Sequence, residues 1–300
     1  RLIYFSIFKN GIYKRQVLSQ QNYSSEMLPY KRGDILDRDG NTLATSQKMY
    51  TLVLEPKNIL RSEEVQKATI DALHKYMKLD EDKLLKFIKR HKDSYYSVYR
   101  EELSYSQIAD LKDFIASDKA ENVSGIVFNE KYKRRYPNQS LASQVIGFVS
   151  DGTIGTGGIE QYYNSTLSGV DGRKYKYLNE ELEQDSSIVE PENGKTVVTT
   201  IDSNIQKLAE DQLSKFEKKY GSKGSSILVM NPNNGEIYAM VNVPEYDLND
   251  PFSLSAKKRK ANSKKQQEYL NKKWRNSCLN DTYEPGSIFK IVSRNVLALS

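Results

Sequence analysis

The spacing of apolar residues changes several times along the chain, and each change outlines an element. Ile35 and Leu43 flank Asp39-Gly40. That pair predicts two short strands joined by a tight type I′ turn, whose central positions need positive φ. Residues 50–56, Tyr-Thr-Leu-Val-Leu-Glu-Pro, read as a further strand ended by proline. From about Ser62 to Phe114 the period becomes helical, with Val65, Ile70, Leu73 and Met77 on one face and no glycine. Residues 131–137 return to extended structure, and 141–149 predict a short helix leading into a strand. The glycine-rich stretch Asp151–Gly158 is a turn whose spacing fits neither a P-loop nor a dinucleotide fingerprint.

The polar stretch Glu190–Gly194 marks a boundary. Thr196–Ile201 predicts a strand. Asp202 is a helix N-cap, followed by an apolar face of Ile205, Leu208, Ala209, Leu213 and Phe216. Gly221 and Gly224 lie past the helix end. Ser226–Met230 and Glu236–Val241 form a hairpin through Asn233-Asn234-Gly235. The order strand, helix, strand, strand predicts an α+β fold with an antiparallel sheet. Two domains follow: 1–190, with a helical subdomain at about 60–120, and 191–300.

Composition adds little to this picture, but charge adds something. Hydrophobic residues make up 38% and charged residues 28% of the chain, the proportions of an ordinary folded protein. The formal net charge is +6. Between Lys257 and Arg275 stand nine Lys or Arg and one Glu, a local +8, so the remainder carries −2. This basic segment reads first as a solvated or mobile loop, and second as a surface attractive to anionic wall polymer or lipid headgroups. No nucleic-acid-binding motif accompanies it. The single cysteine, Cys278, excludes an internal disulfide and a cysteine metal cluster. His74 and His91 lie in charged helical stretches and read as surface residues. The apolar opening Arg1–Phe8 is too short to span a bilayer and is expected to be the exit of a helix lying upstream.

The chemistry is concentrated near the end, in Tyr283-Glu-Pro-Gly-Ser-Ile-Phe-Lys290. A serine hydroxyl attacks a carbonyl only when a base takes its proton. A lysine three residues on lies one helical turn away, on the same face, and serves when partly desolvated. Pro285-Gly286 predicts a turn that places Ser287 at a helix start, where backbone amides favour developing negative charge. The bare spacing is not specific. Ser6-Ile-Phe-Lys9 and Ser255-Ala-Lys-Lys258 share it, but only Ser287 follows a Pro-Gly turn and precedes an apolar stretch.

The octapeptide resembles the active-site motif of class B penicillin-binding proteins, with Ile288 where that motif has Thr. Four further segments are similar in the same order. Arg32–Ala44 resembles the signature of the pedestal next to the membrane anchor. Arg135-Tyr-Pro137, Ala142 and Ile146-Gly-Phe148 resemble a second block, without the glycine usual near Gln139. Gly158-Ile-Glu160, Tyr163-Asn164, Leu167–Gly169 and Gly172 resemble a third. Thr200-Ile-Asp202, Gln206, Ala209-Glu210, Pro244–Asp247 and Trp274–Asn276 resemble the start of the transpeptidase domain.

The resemblance implies a dimerisation-type pedestal over 1–190, the N-terminal part of a transpeptidase domain over 191–300, and no cofactor or metal. Ser287 is the implied nucleophile and Lys290 its base. Acyl transfer would run from the D-Ala-D-Ala end of a peptidoglycan stem peptide to a neighbouring stem, and β-lactams would acylate the same serine. The implied partners are stem peptides, β-lactams and a membrane glycosyltransferase, with no nucleic acid. The implied location is extracytoplasmic, on a single-pass anchor upstream. Glu284 leans towards the division or sporulation branch. A Ser-x-Asn triplet and a Lys-Thr-Gly strand are expected beyond Ser300, and Arg294 and Asn295 interrupt a helix that should be apolar. Two other readings stand beside this one: a non-catalytic wall scaffold with a degenerate site, and a penicillin-sensing or β-lactamase relative.

Overall fold

The computed structural model describes residues 24–150, 152–178, 184–222 and 224–290. In chain order the pedestal contains β1 (Ser24–Leu28), β2 (Ile35–Leu36), β3 (Thr42–Leu54), α1 (Pro56–Ile59), α2 (Glu63–Met77), α3 (Glu81–Arg90), β4 (Ser97–Leu103), α4 (Tyr105–Ile115) and β5 (Ile126–Arg135). It continues through α5 (Ser143–Ile146), β6 (Phe148–Ser150), β7 (Ile154–Thr156), α6 (Gly158–Tyr162), α7 (Asn164–Leu167), β8 (Gly172–Leu178), β9 (Gln184–Val189) and β10 (Val197–Val198). The remainder holds α8 (Ser203–Tyr220), β11 (Ser226–Met230), β12 (Ile237–Asn242), α9 (Ala256–Arg259), α10 (Ser263–Trp274), α11 (Ser277–Asn280) and a 3₁₀ turn, Gly286–Phe289.

The α+β expectation holds. Strand β3 organises the pedestal because it is long enough to serve several partners. Its start pairs with β2, its end with β4, and β5 runs antiparallel along it from Thr45↔Arg135 to Leu54↔Ile126. Tyr50, Leu52 and Leu54, at the strand period of two, join Leu73, Leu84, Ile88, Ile108 and Leu111 of the helices in one core. The helices begin where the sequence caps them. Ser62 Oγ accepts from Val65 N at 3.2 Å, and Asp80 Oδ1 accepts from Lys83 N at 2.8 Å. Glu63, Glu64, Glu81 and Asp82 add favourable charge to the two first turns.

Several expectations need correction. The stretch 60–120 is not purely helical, because β4 crosses it as a sheet edge. The Asp39-Gly40 turn is not type I′: Gly40 has φ +86° but Asp39 does not have positive φ. Instead the Asp37 carboxylate accepts from Asp39 N and Asn41 N, at 2.9 and 2.8 Å, and closes a longer loop. The strand expected to open the second domain, β10, joins the pedestal sheet by pairing in parallel with β2. Strands β1, β8 and β9 form a three-stranded antiparallel sheet that sequence patterning did not indicate.

On α8 the buried residues are Gln206, Ala209, Glu210 and Leu213, while Leu208 and Phe216 are exposed. The helix packs on β12 through the 206/209/210/213 stripe, and Gln206 is held there by the Met240 backbone, accepting from its N–H at 2.8 Å. The basic segment is not a loop but two helices, α9 and α10. His74 Nδ1 and His91 Nδ1 donate to backbone carbonyls, Leu79 O at 2.8 Å and Phe87 O at 2.9 Å, so each ring closes the end of its helix.

A second core joins the two halves. Ile35, Leu43, Ala142, Ile146 and Phe148 of the pedestal pack with Tyr246 and Leu248, with Trp274 against them. Phe148 lies 4.9 Å from the Trp274 ring and 6.3 Å from Tyr246, centroid to centroid. Tyr246 Oη donates to Ser143 O at 3.1 Å, and Gln144 Nε2 to Pro244 O at 2.8 Å. The segment that leads to Ser287 is therefore seated on the pedestal.

Candidate functional site

Trp274 starts the approach to the site. It is fixed by Phe148 and by its indole N–H, which donates to Pro251 O at 3.0 Å. Asn276, two residues on, is buried. Its Oδ1 accepts from Asn242 Nδ2 at 2.9 Å and from Cys278 N at 3.1 Å. Asn242, at the end of β12, also accepts from Ser277 Oγ. This amide cluster ties the start of α11 to β12, so the sheet of the second half sets where the next residues leave it. Beyond it, Arg275 pairs with Asp281 at 2.5 Å across the chain turn.

Pro285 stands in the right-handed helical region and Gly286 at φ +54°. A side chain at Gly286 would make that backbone costly, which is why a glycine precedes the serine here. The 3₁₀ turn Gly286–Phe289 follows, closed by Ile288 N donating to Pro285 O at 3.2 Å. Ser287 lies within it and Lys290 is its C-cap. In 3₁₀ geometry residues i and i+3 eclipse, so the two side chains share a face. Both are exposed, as are Ile288 and Phe289. The sequence predicts a helix starting at Ser287 and leading into an apolar stretch, whereas the described residues form only the 3₁₀ turn. The part of that stretch that is described is solvent-facing, and Ile291 and Val292 lie outside the described residues.

Of the rival Ser-x-x-Lys sites, Ser6–Lys9 also lies outside the described residues, as does the apolar opening Arg1–Phe8. Ser255 caps α9, and Lys258 lies over the Tyr269 ring at 5.3 Å rather than against a nucleophile.

The other resembling blocks converge inside the pedestal. The buried Glu160 carboxylate is held between two guanidiniums, Arg32 Nε at 2.8 Å and Arg134 Nε at 2.7 Å, and accepts from Tyr136 Oη at 3.3 Å. Arg32 also donates to Thr153 O and Ser168 Oγ, and Arg134 to Gly33 O. Residues from three separated blocks thus meet at one ionic centre that braces β3, β5, α6 and the Gly33 strand entry. Arg32, Tyr136 and Glu160 fall in the resembling blocks and Arg134 lies one residue before the second, but nothing in their spacing reveals that they touch. Among the described residues no group of three or more His, Cys, Asp or Glu could hold a metal ion, and no helix is long and apolar enough to cross a membrane.

A second polar site went unnoticed in the sequence. A cleft of about 530 Å³ between Pro137–Leu141 of the pedestal and α8 is lined by Lys207, Glu210, Asp211 and Glu245. Burial, then the neighbouring Glu210 carboxylate, pushes the Glu245 carboxyl up to about 7, against a hydrogen bond from Ser140. Burial likewise raises Glu210, opposed by donors from Ala142 N and Gln206.

The fold is a braced pedestal followed by a second α+β unit bearing a glycine-preceded Ser-x-x-Lys turn, and comparison with known proteins places this two-part architecture. The model of the penicillin-binding protein dimerisation domain matches residues 28–199, and that of the penicillin-binding protein transpeptidase domain matches 225–299. The chain belongs to the penicillin-binding protein family, in its class B branch. It is 29% identical to stage V sporulation protein D of Bacillus subtilis, over 90% of this chain and 39% of that protein. With the probable peptidoglycan D,D-transpeptidase PenA of Neisseria gonorrhoeae it shares 28% identity, over 89% of this chain and 42% of that one. The chain spans about two fifths of the length of these relatives.

Among solved structures, penicillin-binding protein 2X of Streptococcus thermophilus aligns with TM-score 0.62 and 25% identity, covering 75% of this chain and 36% of that one. PBP2 of Helicobacter pylori, solved in complex with MreC, aligns with TM-score 0.56 and 26% identity, covering 89% and 51%.

Proposed function

We propose that the protein is a serine D,D-transpeptidase that cross-links peptidoglycan stem peptides, with Ser287 as acyl acceptor and Lys290 as its base. One observation carries the reading. The only Ser-x-x-Lys among the described residues that follows a positive-φ glycine lies inside the region matched by the transpeptidase-domain model. Ser287 Oγ attacks the carbonyl of the penultimate D-Ala, and its proton passes to Lys290 Nζ. The peptide C–N bond breaks, and the terminal D-Ala leaves with a proton returned by Lys290. An ester on Ser287 remains. The amino group of a second stem attacks that ester, gives up a proton and regenerates the serine. A β-lactam enters the first half-reaction and stops there, because its opened ring stays attached.

The pedestal's part is to hold the catalytic unit away from a membrane anchor, with the bulk of the protein extracytoplasmic. A membrane glycosyltransferase supplies the glycan strands whose stems are joined. PBP2 of Helicobacter pylori was solved in complex with MreC, which supports the reading that this chain too takes a protein partner.

The test is release of D-Ala from a synthetic pentapeptide ending in D-Ala-D-Ala by the full-length protein. Release that falls at least a thousandfold in both Ser287→Ala and Lys290→Ala fits the proposal. A folded parent without release, or a Ser287→Ala variant with parental rate, argues for a wall scaffold whose serine is idle.

A further inference from the structure

Helices α9 and α10 form a hairpin just ahead of the Ser287 segment. Its inner side is fixed. Leu270 is buried, Trp274 stacks into the shared core, and Lys273 Nζ donates to Pro251 O and Ser253 O at 3.1 and 2.8 Å. Gln266 Nε2 closes the hairpin by donating to Arg259 O and Ala261 O, at 2.9 and 2.7 Å. What remains outside is predominantly cationic, with Glu268 the one acid among neutral Ser263, Gln267 and Asn271. Lys257, Lys258, Arg259 and Lys260 on the first arm, and Lys264, Lys265 and Lys272 on the second, are all exposed.

None of these seven takes part in an ion pair among the described residues. Lysines of the pedestal do so repeatedly, as in Lys48–Glu130, Lys131–Glu101 and Lys133–Glu102. Lys264 and Lys265 also occupy the first turn of α10, which holds no acidic residue, whereas α2 and α3 place two acids each at that position. Cations at the positive end of a helix, crowded by like charges, weaken it. A self-repelling surface presented on a fastened hairpin is stabilised when an external anion covers it.

The chemistry of the surface narrows the kind of anion. A membrane-docking helix adds apolar side chains beside its cations to enter the bilayer. Here the apolar residues of the hairpin, Leu270 and Trp274, face the core. Single-stranded nucleic acid needs exposed rings on which bases stack. The ring of Tyr269 is half-buried and already covered by Lys258. Charge without apolar or stacking anchors suits a flexible chain with a regular series of anionic groups.

We propose that the α9–α10 hairpin is a docking surface for a linear polyanion bearing repeated phosphate groups, which tethers the catalytic half to that polymer independently of the chemistry at Ser287. The probe is inorganic polyphosphate, titrated against the full chain by fluorescence anisotropy at several salt concentrations. The expected result is binding whose affinity falls steeply with salt. Replacing Lys257, Lys258, Lys260, Lys264 and Lys265 together by Gln lowers the affinity at least tenfold and reduces the log–log salt slope by about three. The same five changed to Arg keep binding within about twofold, which separates charge from folding. Gln at Lys48, Lys131 and Lys133, the paired pedestal lysines, leaves it unchanged. The proposal is overturned if the Gln set binds like the parent, or if polyphosphate does not bind at physiological salt. It is overturned equally if phosphatidylglycerol vesicles bind the chain more tightly than polyphosphate, which would assign the surface to lipid.

Discussion

Glu160 is the residue on which the pedestal's ionic centre depends. Its two oxygens serve Arg32 and Arg134 in a site with almost no solvent contact. A buried carboxylate between two guanidiniums contributes little relative to an apolar packing of the same volume, but its removal strands two buried charges. Glu160→Gln is therefore expected to destabilise the chain by about 3–5 kcal/mol, read as a lowered urea midpoint with unchanged slope. A midpoint within experimental error of the parent would mean that the two arginines find other acceptors. At this centre Arg32 and Glu160 stand in resembling segments of the sequence, whereas Arg134 and the meeting of the three do not show there. Residues 32, 134 and 160 come from distant segments, and charged residues carry no periodic signal when they are buried.

At the scale of elements, the helices were legible where capping and period agree. Asp202 Oδ1 accepts from Asn204 N and Ile205 N, at 3.0 and 3.1 Å, and α8 ends at Gly221 with φ +63°. Asp202→Ala is expected to cost about 1 kcal/mol, while Asp202→Asn costs less than half of that, both measured by thermal unfolding. Equal losses in the two variants would show that charge, not the cap hydrogen bond, matters there.

Elements were missed where local composition opposes the structure. Strand β4 carries Arg100-Glu101-Glu102 on a sheet edge, a polar pattern that reads as helix or loop until β3 pairs with it. On α8 the hydrophobic rule chose Leu208 and Phe216. Packing instead buries Gln206 and Glu210, because each finds a backbone partner at the interface, Met240 and Ala142 respectively. The basic segment was read as a loop on charge alone, yet Asn262 caps α10 by accepting from Lys265 N at 2.9 Å, and Leu270 and Trp274 anchor it.

At the scale of the molecule, the two halves share a core and a cleft, and the cleft makes their association sensitive to pH. Glu245 is raised to about 7 by burial and by Glu210; Asp211 adds to the effect, and Lys207 also lines the cleft. The folded protein therefore binds a proton here that the unfolded chain releases near its ordinary value. Stability from this group is complete below about pH 4.5 and is lost as pH rises through about 7. With partial exposure discounted, the loss is on the order of 1 kcal/mol between pH 5 and pH 8. Glu245→Gln, which mimics the protonated form, is expected to flatten the pH dependence of the urea midpoint over that range. A variant with the parental slope would place the titration elsewhere. None of this was legible in the sequence, where Glu210 and Glu245 are 35 positions apart in ordinary polar surroundings. The candidate nucleophile, by contrast, was legible, because Pro-Gly before Ser-x-x-Lys is a local signal.

The central claim is that Ser287, and neither of the other two serines with the same spacing, accepts the acyl group. The most direct measurement is peptide mapping by mass spectrometry of the full-length protein after brief exposure to benzylpenicillin. The account predicts one stoichiometric adduct, on the peptide containing Ser287, and none in Ser287→Ala. An adduct on Ser6 or Ser255, or an adduct that persists at full yield in Ser287→Ala, would contradict it.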